Sequence, residues 1–300
     1  MLPTPPDRPA RILLVRLSHL GDALHALPVF HALRATYPQA EIHWVIQPEF
    51  AGFLENLPGL HGVITYERHG GLGGWKRLRK GLREKSFDVA INAQGNWKSA
   101  AVARLSGAPL RWASARRDWR EKPAAWLANR FAASAQGPHA MHRMQALCEA
   151  IGSKDPLRWD LPLTEAELER GRAQLNGLLP EYGSGWILHL SAPGDARSWP
   201  VEHYADLARG LALHNQGVLC LSGPSEKEPG ERLRSLLAGQ KAVSHLVGQR
   251  GLRDLAGLLQ AARERGLRML ATDSGPSHMA SAVGLPVDLL AGPTHPERTG

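Results

Sequence analysis

Short apolar runs alternate with segments of helical spacing along the whole chain, and this alternation constrains the fold more than any other feature. The runs are continuous rather than alternating, which is typical of strands in a sheet covered on both faces. Repeated strand–helix units predict a parallel sheet with right-handed crossovers. Five strands are predicted in each half, at 12–16, 42–47, 62–66, 87–92 and 111–114 and then at 186–191, 217–222, 242–247, 267–272 and 287–291. The set occurs twice.

A chain of 300 residues is long enough for two domains that each bury a core. A polar stretch rich in proline and glycine, between about Gly152 and Gly185, marks the boundary. We therefore predict an α/β protein of two Rossmann-like, doubly wound parallel-sheet domains that face each other across a cleft. Their predicted limits are 1–160 and 186–300, and a linker at 161–185 contains one helix at about 164–178. Further helices are predicted at 22–37, 72–85, 201–214, 226–237 and 252–263.

Composition excludes several classes of protein. The hydrophobic fraction of 43% is that of a globular chain. Cys148 and Cys220 are the only cysteines, so neither a disulfide framework nor a cysteine-rich zinc site is expected. The N-terminus does not resemble a signal peptide, and no apolar run approaches the length of a membrane span. These features predict a cytoplasmic protein.

The net charge of +8 is unevenly distributed. Residues 1–160 hold 22 Lys and Arg against 13 Asp and Glu, a balance of +9, whereas residues 161–300 hold 14 against 15, a balance of −1. This asymmetry predicts an acidic partner on the first half: nucleic acid, an anionic membrane surface or an acidic substrate.

Two loops at opposite ends of the chain each follow a buried strand and open a helix. The first contains Asp22, for which position suggests an N-cap of that helix and a general base at the carboxyl end of strand one, two roles that are compatible. The second contains Asp273, Ser274, Gly275 and His278. Its small residues and helix start favour an anion such as a phosphate, although an ordinary helix start would look the same. Ligands gather at the carboxyl ends of parallel strands, so the pair of loops suggests group transfer from a phosphate-bearing donor.

Other candidate residues follow neighbouring strands. Arg197 could pair with a phosphate, and Glu226 could accept hydrogen bonds from ribose hydroxyls. Basic groups follow strands three to five: the helix that contains Lys76, Arg79 and Arg83, then Lys98, and then a group around Arg120. No Walker A, GxSxG or HExxH sequence occurs, and no Asp-x-Asp pair indicates a metal-dependent sugar-nucleotide site. The sequence predicts no metal site and no cofactor.

Several stretches resemble the ADP-heptose:lipopolysaccharide heptosyltransferases, which are glycosyltransferases of family 9 with the GT-B fold. They include residues 11–28, the stretch Ala93-Gln94-Gly95 with Lys98-Ser99, the Ser198-Trp199-Pro200 turn, the loop at 273–278 and Gly292-Pro293-Thr294. The likeness spans nearly the whole chain, and the stretch at 93–99 is most similar to heptosyltransferase I.

The resemblance implies an inverting, metal-independent transfer of heptose from ADP-heptose to a Kdo hydroxyl of the Kdo–lipid A inner core. It implies that Asp22 is the base and that Lys98 and Arg120 contact the anionic acceptor. Arg197, Glu226, Asp273, Ser274, Gly275 and His278 correspond to donor-binding positions. The chain is then expected to be cytoplasmic and to contact the inner membrane surface peripherally. The family usually continues with C-terminal helices beyond the position of Gly300.

Two alternatives stay open at this point. A different GT-B transferase would share Asp22 and the donor loop but use another nucleotide sugar or acceptor. A basic nucleic-acid-binding protein would also account for the charge, and it would use aromatic residues among the basic ones to stack on bases. Candidates for that stacking are Trp75, Trp97, Trp112 and Trp119.

Overall fold

The chain folds as two compact units, residues 1–159 and 160–300. This computed structural model describes residues 9–300 except 180, 181, 183, 184, 193, 195, 250, 294–296 and 298–300. Gly183 and Ser184 of the predicted linker and Thr294 of the Gly-Pro-Thr motif lie outside the described residues. No helix in the described part of the chain combines the length and the apolar character needed to cross a bilayer.

The first unit contains a six-stranded parallel sheet in the order β3-β2-β1-β4-β5-β6. Its strands are β1 (Arg11–Val15), β2 (Glu41–Ile46), β3 (Gly62–Thr65), β4 (Val89–Asn92), β5 (Leu110–Ala113) and β6 (Arg130–Phe131). Its helices are α1 (Leu20–Leu24), α2 (Leu27–Thr36), α3 (Pro48–Ala51), α4 (Gly71–Lys85), α5 (Trp97–Leu105) and α6 (Ala140–Ala150). Successive residues of β1, from Ile12 to Val15, are fully buried, as expected for a strand covered on both faces.

The second unit contains a five-stranded parallel sheet in the order β11-β10-β7-β8-β9. Its strands are β7 (Gly185–His189), β8 (Gly217–Leu221), β9 (Val243–Leu246), β10 (Arg268–Thr272) and β11 (Val287–Leu290). Its helices are α7 (Glu165–Leu178), α8 (Val201–Leu213), α9 (Lys227–Leu236), α10 (Leu252–Glu264) and α11 (Gly275–Ala282). Two parallel, doubly wound sheets confirm the predicted fold class.

All ten predicted strands are present, with ends that shift by one or two residues. The helix predicted at 22–37 is instead two helices, α1 and α2. Pro28 lies in the first turn of α2 and has no N–H to donate to the carbonyl of Leu24, so one continuous helix would lose a bond there. Sequence spacing missed β6, α3, α5 and α6.

Helix α7, predicted within the linker, belongs to the second unit and packs on α10. Glu167 and Arg253 form a buried ion pair between the two helices, with Nη2–Oε2 and Nε–Oε1 distances of 2.5 and 2.9 Å. Gly171 and Gly257 lie where the helix backbones touch: a Cβ on Gly171 would lie 2.2 Å from the carbonyl carbon of Gly257. The absence of both side chains permits this close crossing.

Candidate functional site

Each sheet has one point at which the strand order reverses, and ligands of doubly wound proteins bind in the crevice outside that point. The reversal lies between β1 and β4 in the first unit and between β7 and β10 in the second. Asp22 follows β1 and Lys98 follows β4. Arg197 follows β7, and the loop at 273–278 follows β10. The structure thus places both predicted loops at the switch points of their sheets.

Asp22 is the third residue of α1 and not its N-cap, so that interpretation is wrong. His19 occupies the N-cap position, and its side chain does not cap the helix. The carboxylate of Asp22 instead forms an ion pair with Arg16, with an Nη2–Oδ1 distance of 2.6 Å. The side chain of Asp22 is 43% exposed, whereas that of Arg16 is 7% exposed. One carboxylate oxygen is therefore fixed by the protein while the group stays open to solvent.

Arg16 is a residue that sequence reasoning missed. Its Nη1 donates to the carbonyl of Ala93 in the loop after β4. Burial lowers the pKa of the Arg16 guanidinium and nearby Arg143 lowers it further, whereas the charge of Asp22 raises it. The available signal was an arginine that interrupts a fully buried apolar run, because a buried charge requires a partner.

Gln94, in the loop after β4, is hydrogen-bonded to the loop after β1. Its Oε1 accepts the backbone N–H of Leu17 at 2.8 Å, and its Nε2 lies 3.3 Å from the hydroxyl of Ser18. The loop itself is held by Asn92, whose Oδ1 accepts the N–H of Gln94 at 3.0 Å. The backbone on both sides of the first switch point is thus fixed by side chains.

Lys98 and Arg120 are the sequence neighbours of Trp97 and Glu121, which are hydrogen-bonded to each other. The backbone N–H of Trp97, at the start of α5, donates to Oε2 of Glu121 at 2.6 Å. Both Lys98 and Arg120 are exposed, and among the described residues neither has an ion-pair partner. The structure therefore brings the two predicted acceptor contacts to the same part of the first unit.

In the second unit, Arg197 bridges the loops after β7 and β10. Its Nη1 donates to the backbone carbonyl of Asp273. The carboxylate of Asp273 is paired with the ring of His278, with an Oδ1–Nε2 distance of 3.1 Å. The structure therefore joins Arg197, Asp273 and His278 in one hydrogen-bonded group at the second switch point.

Ser274 and Gly275 begin α11 within this group. The hydroxyl of Ser277 accepts the N–H of Ser274 at 3.1 Å and donates to its carbonyl at 2.7 Å. The hydroxyl of Ser274 is buried and has no partner among the described residues. A small polar atom without a partner, at a helix start and next to a guanidinium, suits an oxygen-rich anionic ligand.

Glu226 lies after β8, the strand beside β7. Its carboxylate is buried and accepts the N–H of Gly223 at 2.9 Å and the hydroxyl of Ser225 at 2.6 Å. His189 ends β7 close to Glu226, and burial lowers the pKa of His189 to about 4 although the charge of Glu226 opposes this. Nδ1 of His189 and the hydroxyl of Ser222 are also buried without partners in the described part of the chain. Glu226 thus has a local structural role in addition to any contact with a ligand.

Two other features bear on the possible chemistry. Within the described residues, no three His, Cys, Asp or Glu side chains are grouped as metal ligands. Of the tryptophans considered for base stacking, Trp112 and Trp119 are 1% and 2% exposed and Trp75 packs against the core. Trp97 is thus the one member of this set whose ring is exposed for stacking. A nucleic-acid platform of successive exposed rings is therefore not formed by these residues.

Comparison with known proteins decides the family. The model of "Glycosyltransferase family 9 (heptosyltransferase)" matches residues 75–300, three quarters of the chain. The chain belongs to glycosyltransferase family 9. Lipopolysaccharide heptosyltransferase 2 of Escherichia coli K12 is 30% identical to this family 9 chain, over 96% of the chain and 84% of that protein. Lipopolysaccharide heptosyltransferase 1 of Pseudomonas aeruginosa is 29% identical, over 97% and 81%.

A solved structure of the same family agrees with the fold. E. coli heptosyltransferase WaaC with ADP-2-deoxy-2-fluoro heptose superimposes with a TM-score of 0.75 at 25% identity, and the match covers 96% of this chain and 92% of that one. The resemblance, the fold class and the glycosyltransferase activity expected from the sequence are thereby confirmed.

Proposed function

We propose that this family 9 glycosyltransferase moves a heptose from ADP-heptose to a hydroxyl of the Kdo–lipid A inner core during lipopolysaccharide biosynthesis, with inversion at the anomeric carbon. The single observation that carries the proposal is the Asp22 carboxylate at the first switch point, held through one oxygen by buried Arg16 and otherwise open. The relatives support the donor and the pathway, because their names specify lipopolysaccharide heptosyltransferases and one was solved with an ADP-heptose analogue.

In the proposed reaction, Asp22 accepts the proton of the acceptor hydroxyl while that oxygen attacks the anomeric carbon of the heptose. The new C–O bond forms as the bond to the diphosphate breaks, and the bonding electrons leave with ADP. Inversion requires that the base act on the face opposite the leaving group. The cationic side chain of Arg197 and the N–H groups at the start of α11 would stabilise the charge on the departing diphosphate.

We assign the donor to the second unit. Arg197 would pair with the diphosphate, and Ser274 and Gly275 would bind it through their backbone and the unpartnered hydroxyl. Asp273 and His278 hold each other and thereby shape this loop. Glu226 would contact the ribose through the lone pairs that Gly223 and Ser225 leave available.

We assign the acceptor to the first unit, because residues 1–160 have a charge balance of +9 and Lys98 and Arg120 are exposed without acidic partners in the described chain. An acceptor of this kind is a lipid, so we place the protein at the cytoplasmic face of the inner membrane as a peripheral enzyme. The acceptor could also be that of heptosyltransferase 2, since that relative matches as closely as heptosyltransferase 1. A transfer assay with both acceptors separates these two functions.

The variant Asp22→Asn tests the proposed base. Asn keeps a carbonyl oxygen for Arg16 but cannot take up the acceptor proton, so transfer should be lost while folding and donor binding remain. ADP at a hundred times its Kd stabilises a protein by about 2.7 kcal/mol, which gives a measurable shift of the melting temperature. Because the variant should keep its affinity for ADP, this shift should be the same in the variant and the wild type.

Three controls accompany this test. UDP should give no shift, EDTA should change neither binding nor transfer, and Arg197→Ala should abolish the shift with ADP. Near-normal turnover of Asp22→Asn would eliminate Asp22 as the base. A shift with UDP instead of ADP would overturn the assigned donor.

A further inference from the structure

Trp126 is exposed to an extent that is unusual for so large an apolar side chain. Its exposed fraction is 80%, and that of Trp97 in the same unit is 50%. Trp97 is tied to the chain segment before Trp126 by the hydrogen bond from its N–H to Glu121. Neither aromatic side chain belongs to the site proposed above.

Trp126 is exposed because it lies on the outer face of a short helix whose inner face packs against the core. Trp126 lies in a 3-10 helix, Lys122–Leu127, whose Ala124 and Ala125 are buried. These alanines join a core cluster that includes Trp119. Residues three apart lie on one face of a 3-10 helix, so Pro123 and Trp126 share the outer face. A rigid base therefore holds the indole out of the core.

The surroundings of Trp126 are strongly basic. Residues 97–131 hold eight Lys and Arg against two acidic residues. Both acidic side chains are already engaged, because Glu121 accepts the N–H of Trp97 and Asp118 accepts the N–H of Ala135 at 3.1 Å. In the described chain, no acidic side chain pairs with Lys98, Arg116, Arg120 or Lys122.

We propose that this face, which we call the Trp126 surface (Trp97, Arg120, Lys122, Pro123 and Trp126), docks on an anionic phospholipid membrane. Indole rings favour the layer between headgroups and acyl chains, and flanking cations are attracted to anionic headgroups. Trp126 enters that layer while Lys122 and Arg120 contact phosphates. Single-stranded nucleic acid fits less well, because it needs successive exposed rings and Trp112 and Trp119 are buried.

The outer face of α4 is the other basic surface of the first unit, but more of its charge is already used. Arg77 pairs with Glu67 at 2.6 Å, Lys80 lies 3.9 Å from Glu84, and Nε of Arg83 donates to the carbonyl of Leu105. It contributes no exposed aromatic ring, since Trp75 packs against the core. We therefore expect α4 to add a diffuse attraction and the Trp126 surface to make the contact.

Flotation of the full chain with vesicles tests this docking, without donor or acceptor. The protein should float with vesicles of equal parts phosphatidylcholine and phosphatidylglycerol and hardly at all with phosphatidylcholine alone. Trp126→Ala should lower the partition coefficient about tenfold, which is the effect of removing one large side chain that is buried in the membrane when the protein is bound. Lys122→Ala should lower it about fivefold, and added salt should weaken the wild type.

Trp159→Ala is the matched control, since Trp159 is 53% exposed and lies outside the Trp126 surface. It should float like the wild type, and Trp126→Ala should keep the wild-type melting shift with ADP. If the docking surface is wrongly assigned, flotation is unaffected by Trp126→Ala while the melting shift with ADP is kept. If the donor is wrongly assigned, only the melting shift with ADP is lost.

Three results would overturn the proposal. The first is a wild type that floats with neither vesicle. The second is a Trp126→Ala variant that floats like the wild type while Lys76→Ala/Arg79→Ala does not. The third is preferential binding of a single-stranded RNA oligonucleotide that depends on Trp126.

Discussion

Arg16 and Asp22 share an ion pair in which one partner is buried and the other is exposed. The guanidinium cannot leave its position without breaking its bond to Ala93, so it fixes the carboxylate rather than following it. Arg16 therefore positions the proposed base from inside the protein.

Replacement of Arg16 tests this positioning role. Arg16→Met should lower kcat by more than tenfold with little change in the acceptor KM, and Arg16→Lys should restore part of the rate because it keeps the charge. In the background of Asp22→Asn, Arg16→Met should cause no further loss of the residual transfer. Loss by the same factor in both backgrounds would show that Arg16 only stabilises the fold.

His189 makes stability depend on pH. The pKa of its ring is lowered to about 4 by burial, whereas an unfolded histidine titrates near 6.5. Between these values the unfolded chain binds the extra proton, so this contribution to stability falls as the pH decreases from about 6.5 to about 4. The full loss is on the order of 3 kcal/mol.

The variant His189→Gln should flatten that dependence. Urea unfolding at pH 7.5 and pH 5 should show a smaller difference in the free energy of unfolding for the variant than for the wild type. Burial also lowers the pKa values of His43 and His245, so the comparison between the two proteins is needed to isolate His189. An equal pH dependence in both proteins would contradict a neutral buried ring.

At the scale of elements, the crossing of α7 and α10 depends on two glycines. A Cβ on Gly171 would lie 2.2 Å from the Gly257 carbonyl carbon, so Gly171→Ala forces the helices apart and strains the buried Glu167–Arg253 pair. It should lower the free energy of unfolding by about 3 kcal/mol or more.

Gly177→Ala in the same helix is the matched control for this prediction. A Cβ on Gly177 would contact nothing within 4 Å, so the substitution should stabilise by about 0.5–1 kcal/mol through helix propensity alone. Chemical unfolding of both variants measures the difference. Equal effects of the two substitutions would show that the helices do not touch at Gly171.

The elements also show what could be predicted from sequence. The ten strands of four to six residues were predicted because each corresponds to a short, mainly apolar run, such as Ile12–Leu14. Helix α5 was missed because its start is set by a local exchange of hydrogen bonds between Asn96 and Ser99, and its spacing is only weakly amphipathic. Strand β6 was missed because two residues carry no periodicity, and its ladder bonds to β5 are non-local.

The candidate site was predictable where chain position alone fixed it. Asp22 and the loop at 273–278 follow buried strands, so the sheet topology brings them to its switch points. The Arg16–Asp22 and Arg197–Asp273 contacts could not be read in the same way. They join residues on different loops or on opposite sides of a turn, and side-chain packing decides them.

At the scale of the whole molecule, the two halves of the chain contain similar sheets but differ in net charge. The balance is +9 for residues 1–160 and −1 for residues 161–300. The second unit pairs several of its cations internally: Arg172 pairs with Glu165 and Glu264, and Arg268 with Asp288. The first unit leaves Lys98 and Arg120 unpaired among its described residues. We therefore propose that the distribution of unpaired charge, rather than topology, suits the two units to different ligands.

This division predicts that Lys98 and Arg120 act on the acceptor and not on the donor. Replacement of both with Ala should raise the acceptor KM about tenfold, since exposed ion pairs contribute up to about 1 kcal/mol each. The melting shift with ADP should stay unchanged. Added salt should raise the acceptor KM of the wild type more than that of the variant, because the exposed charges are screened beyond about 8 Å near physiological ionic strength.

The matched control removes the same charge from the same unit at α4, where Lys76 and Arg79 are exposed. Lys76→Ala/Arg79→Ala should change the acceptor KM only slightly if Lys98 and Arg120 bind the acceptor through specific contacts. An equal rise for both pairs would mean that the first unit attracts the acceptor only through its net charge. A Lys98→Ala/Arg120→Ala variant that loses ADP binding and keeps its acceptor KM would show that the donor and acceptor units are the reverse of those proposed.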